Sequence, residues 1–164
     1  MLSEAKPELK EAVRVRVIGV GNPDRGDDAA GLLVARRLKR PGVDALEWSG
    51  EALSLIDAWE GCDHVILVDA VVTGGRAGEI HCWDGLVERL PRESFRCSTH
   101  VFGVADAVEL ARIFDRLPSR LTVYGIEGVC FTPGSNPGPE VLEAVEILAG
   151  KILLEVSRCT TASV

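Results

Sequence analysis

The sequence predicts an α/β protein: a mostly parallel, mixed five-stranded twisted sheet with helices on both faces. Three observations carry this. Strand-like and helix-like segments alternate along most of the chain, the order that builds parallel sheets. The segment HVILVDAV at 64–71 is almost continuously apolar, as a central parallel strand buried on both faces must be. The stretch VTGGRAG after it is too short for a crossover helix, so the strand at 79–83 returns antiparallel.

Each element has its own signal. Residues 13–20, VRVRVIGV, are rich in β-branched side chains and run into glycines, which reads as a first strand. DDAAGLLVARRLKR at 27–40 reads as a helix with acidic residues at its start and basic ones at its end, stopped by Pro41-Gly42. A short strand is predicted at 43–48 and a short helix at 53–61, followed by the central strand. Residues 84–98 read as irregular, long enough to form either a flap or a plain surface loop. From Val104 to Leu117 the apolar positions Val104, Ala107, Val108, Ala111 and Phe114 follow helical spacing, and Pro118 ends the run. LTVYGIEG at 121–128 is the last strand. Pro137 and Pro139 suit the first turn of a closing helix, whose buried stripe is Val141, Val145, Leu148 and Ile152. Residues 1–12 and 157–164 read as peripheral to a single domain spanning 1–164.

Composition narrows the function. The 164 residues are 46% hydrophobic and 26% charged, the mix of a globular domain, not of a disordered or fibrous chain. Eighteen basic against 25 acidic residues give a net charge of −7, which repels phosphate backbones and argues against a nucleic-acid partner. The basic run Arg36, Arg37, Lys39, Arg40 falls where a helix ends and complements its dipole. No apolar stretch is long enough for a bilayer, so no membrane partner is expected. The charged N-terminus does not read as a signal peptide. Five cysteines, an odd number with no CxxC pair, point to reduced thiols and a cytoplasmic location. Cys62, Cys82 and Cys130 lie in or beside apolar runs and read as packed.

Candidate chemistry lies beyond the carboxyl ends of the strands, where open α/β sheets place their sites. The turn after the first strand, GVGNPDRGDDAAG at 19–31, suggests dinucleotide binding, but Asp24 stands where GxGxxG needs glycine. Asp27 and Asp28 would also repel a pyrophosphate at the helix start. One aspartate suffices to cap the helix. Asp27 is assigned that structural part, and Asp28 is left to face the cleft. Asp69 ends the strand VILVD, where a carboxylate is costly to bury without a partner. His100, in STHVFG, precedes a helix at the same edge, whereas His64 and His81 sit at or inside strands and read as ordinary. Glu127 leaves the last strand at the active edge, as a supporting or a plain loop residue. Two carboxylates and an imidazole make a hard-to-borderline metal site with open coordination positions. They also make an acid–base set without a metal, and the residues alone leave both uses open.

Four blocks in order, GVGNPDRGDDAAG, VILVDAV, STHVFGVADA and VYGIEG, resemble the [NiFe]-hydrogenase maturation endopeptidases over about residues 14–150. The first block is the most specific. The resemblance implies a three-layer α/β/α sandwich with a mixed sheet. It also implies an aspartyl-type or nickel-dependent endopeptidase that removes a C-terminal extension from the hydrogenase large-subunit precursor once nickel is loaded. It maps the family's proposed nickel-sensing ligands onto Asp28, Asp69 and His100, which are also the candidate catalytic residues. Nickel would then be supplied by the substrate, with no tightly bound cofactor expected in the free enzyme. The first ligand is often glutamate in relatives. Aspartate is one methylene shorter, so the metal would sit slightly deeper or the helix start slightly closer. Rival readings are a non-proteolytic metal-handling chaperone, a nucleotide-binding α/β domain and a general peptidase. No GxSxG elbow or HExxH supports a serine or zinc protease.

Overall fold

The computed structural model describes residues 12–95 and 102–161, with the side chains of 160 and 161 excepted. Five strands form one sheet: β1 (Val15–Val20), β2 (Asp44–Trp48), β3 (His64–Val71), β4 (Ile80–Asp84) and β5 (Arg120–Glu127). Their spatial order is β2-β1-β3-β5-β4. All neighbours are parallel except β4 with β5. The antiparallel return expected from the short 72–78 connection is therefore present, at the sheet's edge. All eight residues of β3 are buried, which its apolar run required.

Helices α1 (Ala30–Leu38) and α4 (Pro139–Thr161) cover one face, and α2 (Ala52–Ala58) and α3 (Val104–Ile113) cover the other. The two cores alternate along each strand. Val65, Leu67 and Val71 face α2 and α3, whereas Ile66, Val68 and Ala70 face α1 and α4. Val141, Val145, Leu148 and Ile152 form the buried stripe of α4.

Several boundaries differ from the sequence expectation. The helix expected over 27–40 is a 3-10 turn at Gly26–Ala29 followed by α1. The helix expected to reach Leu117 ends at Ile113. Asp115 takes a left-handed conformation (φ 54°), and the Arg116 N–H closes back onto the Ala111 carbonyl at 2.8 Å. That wrapped ending satisfies the last carbonyls and turns Phe114 outward, 58% exposed, so it leaves the core stripe. At the C-terminus α4 continues to Thr161, because Val156 extends the buried stripe and no breaker follows it. Residues 84–95 are not a free flap. A 3-10 turn at Arg92–Phe95 buries Phe95 against Trp83, ring centres 5.3 Å apart, and Val72 N–H donates to the Ser94 carbonyl at 2.9 Å. Cys82, on edge strand β4, is exposed, not packed. No helix among the described residues is long and apolar enough to cross a membrane.

Candidate active site

The site is built where β1, β3 and β5 end. Between β1 and α1 the backbone is packed at contact distance. A Cβ on Gly31 would lie 2.2 Å from the Val68 carbonyl oxygen and 2.3 Å from that of Val20. One on Gly19 would lie 1.9 Å from the Gly31 oxygen. These glycines serve helix–strand approach, which brings the 3-10 turn and its two aspartates down onto the sheet edge. No dinucleotide fingerprint is needed to explain them.

Asp27 and Asp28 are both fully buried and have different partners. Asp27 is structural, as expected, but it caps no helix. Its Oδ2 accepts N–H bonds from Val129 (2.8 Å) and Cys130 (2.9 Å), and its Oδ1 accepts one from Gly138 (2.8 Å). It therefore ties the segment after β5 to the turn after β1, across more than a hundred residues of sequence. Asp28 faces the Arg25 guanidinium, with Oδ2 3.8 Å from Nη1.

Asp69 follows four apolar residues of β3 and is 4% exposed. Its Oδ1 accepts the N–H of Ala70 at 2.8 Å. Burial pushes its carboxyl well above the usual carboxylate range, and the negative charge of Asp28 pushes it further. The Ala70 N–H is the opposing influence. The two carboxylates are therefore within electrostatic reach of one another although 41 positions separate them. His100, the third predicted residue, lies outside the described residues. Among those residues no group of three His, Cys, Asp or Glu side chains is arranged to hold a metal.

Asp69 lines a small cleft. One side is the β2–α2 turn, with Trp48, Gly50 and Glu51. The other is the start of α3, with Phe102, Gly103 and Val104. Glu127 also lies at this edge but is fully engaged. Its Oε1 accepts N–H bonds from Thr73 (2.8 Å) and Gly74 (3.0 Å), and its Oε2 contacts Thr73 Oγ1 (2.8 Å) and His81 Nε2 (3.2 Å). Burial alone would raise its carboxyl. The bonds from Thr73, Gly74 and His81 outweigh that and hold it below the ordinary range. Glu127 thus fixes the 73–75 turn, and His81 is its partner.

Sequence reasoning did not anticipate the Asp27 clamp, the Glu127–His81 pair or Arg25 beside Asp28. All three are contacts between segments distant in sequence or across a turn, and no spacing rule encodes them. The one available signal was the surplus of acidic groups at strand exits.

The architecture agrees with that of known proteins. A sequence model of the HycI hydrogenase maturation protease family matches residues 32–155. The hydrogenase 2 maturation protease of Escherichia coli strain K12 is 25% identical over 152 residues, which cover 86% of this chain and 89% of that protein. The crystal structure of the [NiFe] hydrogenase maturation protease HycI from Thermococcus kodakarensis KOD1 superposes with a TM-score of 0.68 and 29% identity, covering 90% of this chain and 94% of the other. The hydrogenase maturating endopeptidase HybD from E. coli shares the fold at 21% identity, with a TM-score of 0.67 over 89% of this chain and 93% of its own. This chain belongs to the hydrogenase maturation protease family and is a peptidase.

Proposed function

We propose that the protein removes the C-terminal extension of a [NiFe]-hydrogenase large-subunit precursor and acts only on the nickel-loaded form. The observation that carries this is the electrostatic coupling of two buried carboxylates, Asp28 and Asp69, of which Asp69 lines a cleft. Two acids held this close in a poorly solvated edge repel one another, and a divalent cation relieves that repulsion. Carboxylates with an imidazole are a donor set that nickel accepts. In this reading the ion is the substrate's cargo. Asp28, Asp69 and His100 complete its coordination, which docks the precursor in register. The docked ion then polarises the scissile carbonyl for attack by water.

Asp69 is also placed to move a proton, since burial keeps its carboxyl protonated further up the pH scale than an ordinary aspartate. The protein works in the cytoplasm, a reading supported by its odd number of cysteines and by the free thiols of Cys62, Cys82, Cys130 and Cys159. The test is incubation with the precursor, with and without nickel, and a mass measurement of the large subunit. Loss of the extension only in the nickel-loaded sample is expected. Intact precursor in both samples would instead favour a metal-handling chaperone, which binds the same target and releases it uncut.

A further inference from the structure

His64 opens β3 and Arg120 opens β5, and the two are paired across the sheet. This is the edge opposite Asp69, which lies five residues further along β3, about 16 Å away. His64 is in step with Ile66, Val68 and Ala70, whose side chains face α1 and α4, and it is fully buried. The proposed reaction makes no use of it.

The two nitrogens of its ring have different neighbours. Nε2 lies 3.1 Å from Thr122 Oγ1 and 3.6 Å from Glu155 Oε1. Nδ1 lies 3.8 Å from the sulfur of Cys159, in the last turn of α4. The Glu155 carboxylate accepts the Tyr124 hydroxyl at 3.0 Å and favours the tautomer with its proton on Nε2. Nδ1 then aims a lone pair at a thiol. Burial, and after it the Arg120 charge, hold the imidazole below the ordinary histidine range, against the pull of Glu155. It is therefore neutral at neutral pH, the form that takes up a proton. Arg120 Nη1 approaches the same sulfur at 3.7 Å, so negative charge forming there meets a cation. Cys82 is the more exposed thiol, but its hydrogen-bonding neighbour is the Tyr124 hydroxyl, not a base.

Cys159 is partly exposed and lines an open groove of about 550 Å³. Among the described residues three cations line the groove, Arg120, Lys151 and Arg158, against one acid, Glu155. On a chain of net charge −7 this is a local positive patch, and carboxylates complement it.

We propose that Cys159 is a thiol-modification site, in which His64 and Arg120 activate the sulfur and the cationic groove draws in a small disulfide that carries carboxylates. The Cys159 proton passes to His64 Nδ1, and the sulfur attacks the nearer sulfur of the disulfide. One S–S bond forms as the other breaks, and the displaced half leaves as a thiolate that takes the proton back. The products are a mixed disulfide at Cys159 and one small thiol. This site goes beyond the proteolytic reading and does not depend on it.

The experiment treats the fully reduced chain with oxidised glutathione or with the neutral disulfide of mercaptoethanol. Samples are quenched by alkylation at intervals, and each cysteine is read by peptide mass. At low salt, oxidised glutathione is expected to modify Cys159 about tenfold faster than Cys82. Normalised to Cys82, Cys159 should prefer the anionic disulfide over the neutral one about fivefold, and molar salt should erase that preference. His64→Gln should slow Cys159 about tenfold and leave Cys82 as it was. A Cys159 no faster than Cys82, no preference for the anionic disulfide, or an unslowed His64→Gln would each overturn the proposal. Should His64→Gln fail to fold, Glu155→Gln takes its place, since that side chain is partly exposed. It must then slow the reaction of Cys159 with the neutral disulfide about threefold, or the proposal falls.

Discussion

Asp69 and Glu127 are both buried acids at the carboxyl end of neighbouring strands, and their surroundings treat them oppositely. Glu127 is met by two backbone N–H groups, a hydroxyl and an imidazole, and its carboxyl is held below the ordinary range. Asp69 accepts one backbone N–H, sits near a second carboxylate, and is pushed well above that range. The first arrangement stabilises a charge in place and so fixes a turn. The second leaves a carboxyl poised to exchange a proton or accept a cation. Burial alone does not make an acid functional. The number and sign of its neighbours decide which kind it is.

The largest effect that would sharpen this contrast is on activity. Replacing Asp69 or His100 by alanine is expected to leave the fold intact and reduce processing of the nickel-loaded precursor on the order of 10³-fold or more, read by large-subunit mass. Full processing by both variants would sever the link between the poised acid and catalysis. Glu127→Ala should do the reverse. It strips the acceptor from Thr73, Gly74 and His81 and should cost about 2–4 kcal/mol in urea unfolding, with processing by the folded fraction largely retained. A silent Glu127→Ala would show that the 73–75 turn does not depend on its carboxylate. Asp27 belongs to the Glu127 class, and its variants grade the effect. Asp27→Ala loses three N–H bonds, for about 3 kcal/mol, whereas Asp27→Asn keeps one acceptor oxygen and should lose roughly half of that. Equal destabilisation by the two would mean that charge, not acceptor count, anchors the 129–138 segment.

The fold was legible where the sequence pattern follows from packing alone. The unbroken run of β3 announces a strand covered on both faces, the short 72–78 link forces an antiparallel partner, and α4 shows its stripe at the right spacing. Failures fall where a local conformation outweighs periodicity. Asp115, neither glycine nor proline, takes the left-handed position that stops α3, and so the spacing through Phe114 misleads. At the site, the placement of Asp28 and Asp69 at one edge follows from parallel topology. The structural part of Asp27 was also expected, though as a helix cap, which it is not. What Asp27 holds was not, since Val129, Cys130 and Gly138 are brought to it only by the closed sheet.

The smallest predicted effect is also the one in which the two acids can be set against each other in a single titration. Glu127 has a folded-state pKa below its unfolded value. Its contribution to stability is present above the unfolded pKa and is lost as pH falls through the folded one. Asp69 has a folded-state pKa above its unfolded value. Its contribution is complete below the unfolded pKa and is lost as pH rises through the folded one. Urea midpoints across pH for wild type, Glu127→Gln and Asp69→Asn should therefore diverge in opposite directions. The wild type's advantage over Glu127→Gln shrinks on acidification from about pH 4.5, whereas Asp69→Asn gains on the wild type as pH rises from about 4. Parallel curves for all three proteins would mean that the two carboxyls titrate alike, and the distinction between an anchored acid and a poised one would fail.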